Sequence, residues 1–345
     1  MKNKYYDGTK LLSLKDINGN TPEFVICCGN RTAGKTVYFN RLMVNKWLKR
    51  HEQFALVYRF KYSAPSLADA FWGDIGSLFF PEHKFEGKVQ EGGTYVELYL
   101  DDELCGYGLC LNSRSRIKEL SHLFNSVEYM LLDEFQSEDN KYCNDEIRKF
   151  RSLHESVARG KGHQVRFVQT FLVGNCISLI NPYFVAFGLS ERIQRNTKFL
   201  KSNGLVLEQT LNESAREAQQ NSAFNSAFAD NRYLDYSSQN VYLDDNMTFI
   251  EKLTGDNRYI LTIIYRGNEY CIRCYEEKGI MYCGKNVDKT FSYRISITTE
   301  DMRPNYVMLK NNEKVISYLK YFFNQGCFRF KDLQCKEAVI HMLAY

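Results

Sequence analysis

The sequence predicts an α/β domain, with a parallel sheet covered by helices on both faces, followed by a smaller α+β domain. Three observations carry this. Apolar runs of strand length alternate with helix-like stretches through residue 208. A glycine-containing loop separates the first such run from the first helix. From about Gln209 the texture changes: a polar stretch rich in Asn, Ser, Ala and Gln precedes a strand-dominated segment. The expected organisation is residues 1–208, a helical linker at 209–240, and a second domain at 241–345.

The elements follow in order. Residues 24–28 read as a buried strand and 37–47 as a helix that can bury Leu42, Val44 and Trp47. Residues 52–60 form a second strand, and 66–80 a helix that ends before Pro81. Residues 85–111 read as a β-meander turning at Asp101-Asp102-Glu103. Core strands follow at 126–134 and 165–173, with a helix at 145–158 between them. Strand–helix alternation of this kind gives a parallel sheet buried on both faces. In the second domain, strands are expected at 247–253, 259–266, 269–275, 279–283 and 293–298. Helices are expected at 313–324 and 331–344.

With 345 residues and 44% apolar content, the chain can fill two ordinary cores. The formal net charge of +4 permits nucleic-acid binding without arguing for it, because a local basic patch would be needed. Five prolines and no low-complexity tract argue against long disordered regions. Eleven scattered cysteines and a polar N-terminus point to free thiols in a reducing cytoplasm. Cys271 and Cys274 form a C-x-x-C with Cys283 nearby, but a fourth zinc ligand at sensible spacing is missing. Residues 167–190 carry no charge over a membrane-like length. They include Gln169, Asn175, Asn181 and Pro182, too polar for a lipid-facing helix, so no membrane partner is expected.

The chemistry begins at Gly29, Asn30, Arg31, Thr32, Ala33, Gly34, Lys35 and Thr36, a complete G-x-x-x-x-G-K-[ST]. Gly29 and Gly34 allow backbone angles that a Cβ disfavours, so the N–H groups can turn inward around phosphate oxygens. Lys35 would reach the β- and γ-phosphates, and the Thr36 hydroxyl would ligate Mg²⁺. The strand before and helix after are the context this loop requires, and ATP with Mg²⁺ is the expected ligand.

The apolar run at 127–132 ends in Asp133-Glu134. Asp133 at a strand tip can hold the Mg²⁺ of the nucleotide. Glu134 can polarise the water that attacks the γ-phosphate. Two rivals are weaker. A guanine-reading N-K-x-D is absent, since Asn140-Lys-Tyr-Cys143 lacks the acid, and small-molecule kinases seldom need a Glu after the Mg²⁺-binding Asp. Asn175, after the fourth strand, can sense the γ-phosphate or position water, or serve only as a turn residue. Arg159, between Ala158 and Gly160, suits an arginine finger acting on a neighbouring subunit, or a solvated loop charge.

The order of these residues resembles the DNA-packaging ATPases of small podoviruses, the phi29-like motor proteins. The resemblance runs nearly end to end. It includes the loop at 29–36, the segment from Glu52 to Lys61, Leu131-Leu-Asp-Glu-Phe135 and Gly174-Asn-Cys-Ile-Ser-Leu-Ile-Asn-Pro-Tyr-Phe184. In the second domain it includes Phe249-Ile-Glu-Lys252, Gly279-Ile-Met-Tyr282 and Gly326-Cys-Phe-Arg-Phe330. The loop and strand-end motifs are shared by many ATPases; the Asn-Pro-Tyr-Phe stretch and the C-terminal segments are more particular.

The resemblance implies an ASCE-type, RecA/FtsK-like P-loop NTPase domain and a C-terminal domain resembling a vestigial RNase H-like nuclease. It implies a homo-oligomeric ring of five subunits on the portal of a procapsid in the host cytoplasm, driving double-stranded DNA inward. Some relatives work with a packaging RNA. The trans-acting arginine aligns with Arg159, although the longer segment after it leaves Lys161 and Arg166 as alternatives. Lys61 matches a lysine linked to DNA gripping, with Arg59 beside it. The alternative functions are another ring helicase or translocase, and a nucleotide-gated portal adaptor without catalysis.

Two-metal cleavage needs several converging carboxylates. The stretches 259–265 and 270–275 inside two of these strands carry none, and Glu251, Asp288, Glu300 and Asp301 are scattered. The second domain is therefore expected to bind nucleic acid or the portal rather than cut, through residues such as Arg258, Arg266, Arg273, Lys285 and Lys289.

Overall fold

A computed structural model describes residues 5–343 apart from 74, 138–140, 161, 163, 180, 190–191, 194–196, 223–248 and 310–312. The chain divides into two compact units, residues 1–244 and 245–345.

The first unit opens with α1 (Thr9–Ser13), β1 (Phe24–Gly29), α2 (Lys35–Arg50) and β2 (Gln53–Tyr58). Next come α3 (Ala64–Gly73), α4 (Gly76–Phe79), β3 (Phe85–Gln90), β4 (Tyr95–Leu100), β5 (Glu103–Cys110) and α5 (Arg114–Glu119). It continues with β6 (Val127–Leu132), α6 (Glu146–Val157), β7 (Gln169–Asn175) and α7 (Pro182–Ala186), and closes with β8 (Phe199–Ser202), β9 (Leu205–Thr210) and α8 (Glu213–Gln220). The strands make one sheet in the order β3-β4-β5-β2-β6-β7-β1-β9-β8. From β5 through β9 every neighbouring pair is parallel. Antiparallel strands extend both ends.

Two apolar layers show why the central strands read as continuous apolar runs. Val25 and Cys27 join one core with Phe39, Met43 and Trp47 of α2. Ile26 and Cys28, the alternate residues of β1, join the other with Phe150, Leu153 and Val157 of α6. Each helix brings its apolar residues at spacings of three and four, one stripe per face. Burying a side chain such as Phe39 contributes about 1.5–3 kcal/mol.

The departures have local causes. The helix expected at 66–80 is two helices, α3 and α4, separated near Gly73 and Gly76, each a poor helix former. The strand expected from Val165 starts at Gln169, because Arg166 is buried and Val165 and Phe167 are exposed. The hairpin β8–β9 was not expected, although Asn203-Gly204 between its strands is a strong hairpin signal. β9 runs to Thr210, so the stretch expected as a linker begins inside the sheet, and α8 follows. Most of the remaining linker lies outside the described residues. The turn at Asp101 and Asp102 is as expected; both residues have positive φ (51° and 64°), as a type I′ turn demands.

The second unit contains β10 (Arg258–Tyr265), β11 (Asn268–Tyr275), β12 (Ile280–Gly284), β13 (Arg294–Ser296) and β14 (Val307–Met308). α9 (Glu313–Asn324), β15 (Phe328–Phe330) and α10 (Leu333–Leu343) complete it. The sheet order is β14-β13-β10-β11-β12-β15. A central antiparallel meander, β10-β11-β12, is flanked by parallel strands on both sides. Ile263, Ile272, Phe328, Phe330, Leu319 and Val339 share its core. The strand expected at 247–253 is reduced, among the described residues, to one bridge between Ile250 and Phe330.

All eleven cysteines are free. Cys271 and Cys274, three apart on one strand, point to opposite faces and cannot chelate one ion together. Among the described residues no helix is long and apolar enough to cross a membrane.

Candidate active site

The parallel strands deliver their ends to one place. β1 ends at Gly29, in register with Asn175 of β7 on one side and Thr210 of β9 on the other. Gly29 is required by packing: a Cβ there would stand 2.3 Å from the Thr210 carbonyl oxygen. The loop then turns through Thr32 (φ 58°) and Gly34 (φ 87°) into α2. Asn30 is buried, and its side chain faces away from the ligand side. Its amide donates to the Asn212 carbonyl at 3.0 Å and accepts the Asn212 N–H at 2.9 Å. From the other side, the Tyr6 N–H donates to the Ala33 carbonyl at 2.8 Å.

Residues 31–36 line a cavity of about 830 Å³ together with Asp133, Glu134, Gly174 and Asn175. The Lys35 ammonium lies 2.6 Å from the Asn30 carbonyl, 3.3 Å from the Gly29 carbonyl and 3.3 Å from Asn175 Oδ1. Burial pulls its pKa down, while nearby thiols and Asp133 oppose this. Asp133 follows β6; burial raises its pKa, against hydrogen bonds from the Thr36 hydroxyl and the Glu134 N–H. Glu134 is exposed and left-handed, with φ 52°, a costly conformation for a residue with a Cβ. The structure thus brings Lys35, Thr36, Asp133, Glu134 and Asn175 to one cavity.

Thr36 and Asp133 test the fit of Mg²⁺. The ion takes one or two protein oxygens and completes its shell with phosphates and water. A threonine hydroxyl touching a carboxylate beside the glycine loop is such a donor set.

Arg59 departs from its expected role. Its Nε lies 3.0 Å from Glu146 Oε1, Nη1 donates to the Glu134 carbonyl at 2.9 Å, and Nη2 to the Phe135 carbonyl at 2.8 Å. Glu146 is buried and also accepts the Tyr183 hydroxyl and the Cys143 N–H, both at 2.7 Å. A guanidinium so committed is a brace behind the Asp133–Glu134 tip, not a free contact for DNA phosphates. Lys61, two residues on, is exposed at the start of a 3₁₀ turn beside the exposed Tyr62.

Arg159 is exposed, whereas Arg166 is buried. Arg166 donates to the carbonyls of Val157 at 2.8 Å, Val127 at 3.1 Å and Arg159 at 3.3 Å. Arg166 anchors the loop that presents Arg159 and is not itself available to a neighbour. Lys161 lies outside the described residues.

Gln136 and Glu146 were missed by sequence reasoning. Gln136 Oε1 accepts the N–H groups of Ile177 and Ser178 at 3.0 and 2.9 Å, joining the segment after β6 to the segment after β7. A polar residue two positions beyond the acidic pair was the available signal.

In the second unit, three of the four scattered carboxylates have local partners. Glu251 pairs with Arg329 at 2.6 Å, Asp288 accepts from Thr290, and Asp301 accepts the N–H groups of Arg266 and Gly267. Three candidate nucleic-acid contacts are also paired: Arg258 with Glu276, Arg266 with Glu337 and Lys285 with Asp332.

Comparison with known proteins agrees with this architecture. The chain is 25% identical over 350 residues to the DNA packaging protein of Bacillus phage phi29, covering all of this chain and 97% of that one. It is 24% identical to the DNA packaging protein of Bacillus phage B103, covering 91% of each. Its fold matches a chain of the bacteriophage phi-29 viral genome packaging motor assembly with a TM-score of 0.69 at 23% identity, over 99% and 98% of the two chains. It also matches the Phi-28 gp11 DNA packaging motor at 0.61 and 16% identity, over 99% of each. The model for the podovirus DNA encapsidation protein (Gp16) matches residues 1–344, and the chain belongs to that family.

Proposed function

We propose that this chain hydrolyses ATP in the cavity at residues 31–36 and uses the turnover to move double-stranded DNA into a procapsid. The observation that carries the reading is the convergence of Lys35, Thr36, Asp133, Glu134 and Asn175 on one cavity in a DNA encapsidation protein. The backbone N–H groups of the loop and Lys35 hold the phosphates. Thr36 and Asp133 are the residues that would hold Mg²⁺, which when bound neutralises charge on the phosphates. Glu134 orients the attacking water and accepts its proton. Asn175 trades its contact with Lys35 for one to the γ-phosphate or that water.

The working unit is a ring of identical subunits on the portal, five by the family resemblance, acting on the procapsid inside the host. Arg159, on a loop anchored by Arg166, reaches the cavity of the next subunit and stabilises charge on the transferring phosphoryl group. Lys61 is the DNA contact, directed at phosphate and so insensitive to sequence. Arg59 joins the end of β2, which leads to Lys61, to the Asp133–Glu134 tip. The second unit supplies a binding face rather than cleavage.

The test is steady-state ATP hydrolysis with and without duplex DNA, for the wild type and Glu134→Gln, repeated with procapsids. Duplex-stimulated turnover that vanishes in the variant supports the reading. ATP binding without turnover, even on procapsids, overturns it.

A further inference from the structure

The cavity is larger than its phosphate end requires. Beyond the residues already assigned, its wall is formed by Tyr5, Tyr38, Arg41, Leu78 and Phe79. These come from three separated segments: the N-terminal strap, α2 and α4. Tyr5, Leu78 and Phe79 are 63%, 72% and 40% exposed, an unusual concentration of apolar surface beside a polar loop. Among the described residues of the lining the one further aromatic is Tyr6, whose hydroxyl is taken by Glu208 at 2.8 Å.

This wall is built rather than incidental. The Tyr5 ring lies beside the loop, where a Cβ at Gly34 would stand 3.5 Å from its Cδ1. The next residue, Tyr6, ties the strap to Ala33. Tyr38 meets the Tyr6 ring edge-on at 5.3 Å. The Arg41 guanidinium lies 4.6 Å from the Phe79 centroid, which orients both toward the same space. The hydrolytic residues Asp133, Glu134 and Asn175 mark the γ-phosphate end. A nucleotide threaded from there past Thr36 and Val37, at the start of α2, carries its base toward Tyr38 and, about one turn beyond Val37, Arg41.

We propose that Tyr5, Tyr38, Arg41 and Phe79 form the subsite for the nucleobase, holding it by stacking and apolar contact. This rests on the reading of residues 29–36 as the phosphate end. Stacking is tolerant of base identity, so the subsite adds affinity to nucleoside triphosphates generally, with little discrimination between purines.

The experiment compares equilibrium binding of ATP and of inorganic tripolyphosphate, each with Mg²⁺, to the full-length wild type, Tyr5→Ala and Phe79→Ala. Tripolyphosphate occupies only the phosphate end and reports on the integrity of the loop. The expected result is tighter binding of ATP than of tripolyphosphate by the wild type. Each variant should then lose about tenfold in ATP affinity, with tripolyphosphate affinity unchanged. Phe79→Tyr should retain ATP binding. Three results overturn the subsite while leaving the phosphate site standing: ATP and tripolyphosphate bound equally by the wild type, ATP affinity unchanged in both alanine variants, or equal losses for the two ligands. A wild type that binds neither ligand overturns the phosphate-end reading and the subsite with it.

Discussion

The Nζ of Lys35 lies 3.3 Å from Oδ1 of Asn175, a contact across 140 residues of sequence that joins the start of α2 to the end of β7. An incoming phosphate competes for that ammonium and releases the asparagine. Asn175→Ala is therefore expected to reduce kcat by roughly 10²-fold, the scale of losing one positioned polar group. ATP affinity should change little. Turnover and nucleotide affinity measured on the same preparation separate the two effects.

Glu134 projects into the cavity from a left-handed backbone held by Arg59. Glu134→Gln keeps the size and a hydrogen-bonding side-chain oxygen but replaces the carboxylate that acts as base. Turnover should fall by about 10²–10⁴-fold, with ATP binding retained. Single-turnover kinetics would show the chemical step, rather than product release, as the one that slows.

Arg59 and Lys61, two residues apart, should behave differently. Arg59→Ala strands the buried Glu146 carboxylate, and stability should fall by about 3–5 kcal/mol. Pairing it with Glu146→Gln should recover part of the loss, measurable by denaturant unfolding. Lys61→Ala should leave stability unchanged. It should flatten the salt dependence of duplex binding by about 0.9 in log–log slope, one phosphate contact fewer.

If Arg159 acts on the adjacent subunit, Arg159→Ala and Glu134→Gln should complement. Each variant alone is expected to be nearly inactive in the ring. Mixed in equal amounts, they should regain turnover at interfaces where an intact Arg159 faces an intact Glu134. Mixtures no more active than their components would assign Arg159 to its own subunit or to the solvent.

Asp16 supplies the pH dependence. Its carboxylate accepts the N–H groups of Gly204 at 2.9 Å, Asn20 at 2.8 Å and Asn18 at 2.9 Å, joining the strap before β1 to the β8–β9 turn. These bonds, that from Gly204 foremost, hold its pKa below the ordinary value. A depressed carboxylate contributes stability above its unfolded-state pKa and loses it as pH falls through the folded one. Asp16→Asn should lower Tm at neutral pH, and the gap to wild type should close only in acid, below the usual aspartate range. Thermal melts across pH check this.

The legible parts of the molecule were those in which one residue type has one physical use. Gly29, Gly34, Lys35 and Thr36 could be read because a phosphate loop tolerates few substitutes. The sheet core could be read because burial on both faces forces continuous apolar runs. Arg59 was misread because its fate depends on Glu146, 87 residues away, and an arginine near a lysine looks the same whether braced or free. Arg166 and Arg159 could not be separated in sequence; only the Val127 and Val157 carbonyls distinguish anchor from tip. The wall of Tyr5, Tyr38 and Phe79 was invisible because three distant segments build it. β8 and β9 are a different kind of miss: the Asn203-Gly204 signal was present, but the polar residues after it drew the boundary too early.

The closeness of Gly29 to Thr210 has a consequence for synthesis. The strand that carries the phosphate loop is flanked on one side by β9, and the loop residue Asn30 is tied to Asn212 just beyond it. A nascent chain that has left the ribosome only through Asn175 already contains every residue assigned to hydrolysis apart from those of its neighbours, yet one flank of β1 is still bare. The nucleotide pocket therefore matures late, once residues 199–212 have emerged and closed against the first strand. Truncated products ending before that point should accumulate as ATP-blind fragments rather than as competing subunits.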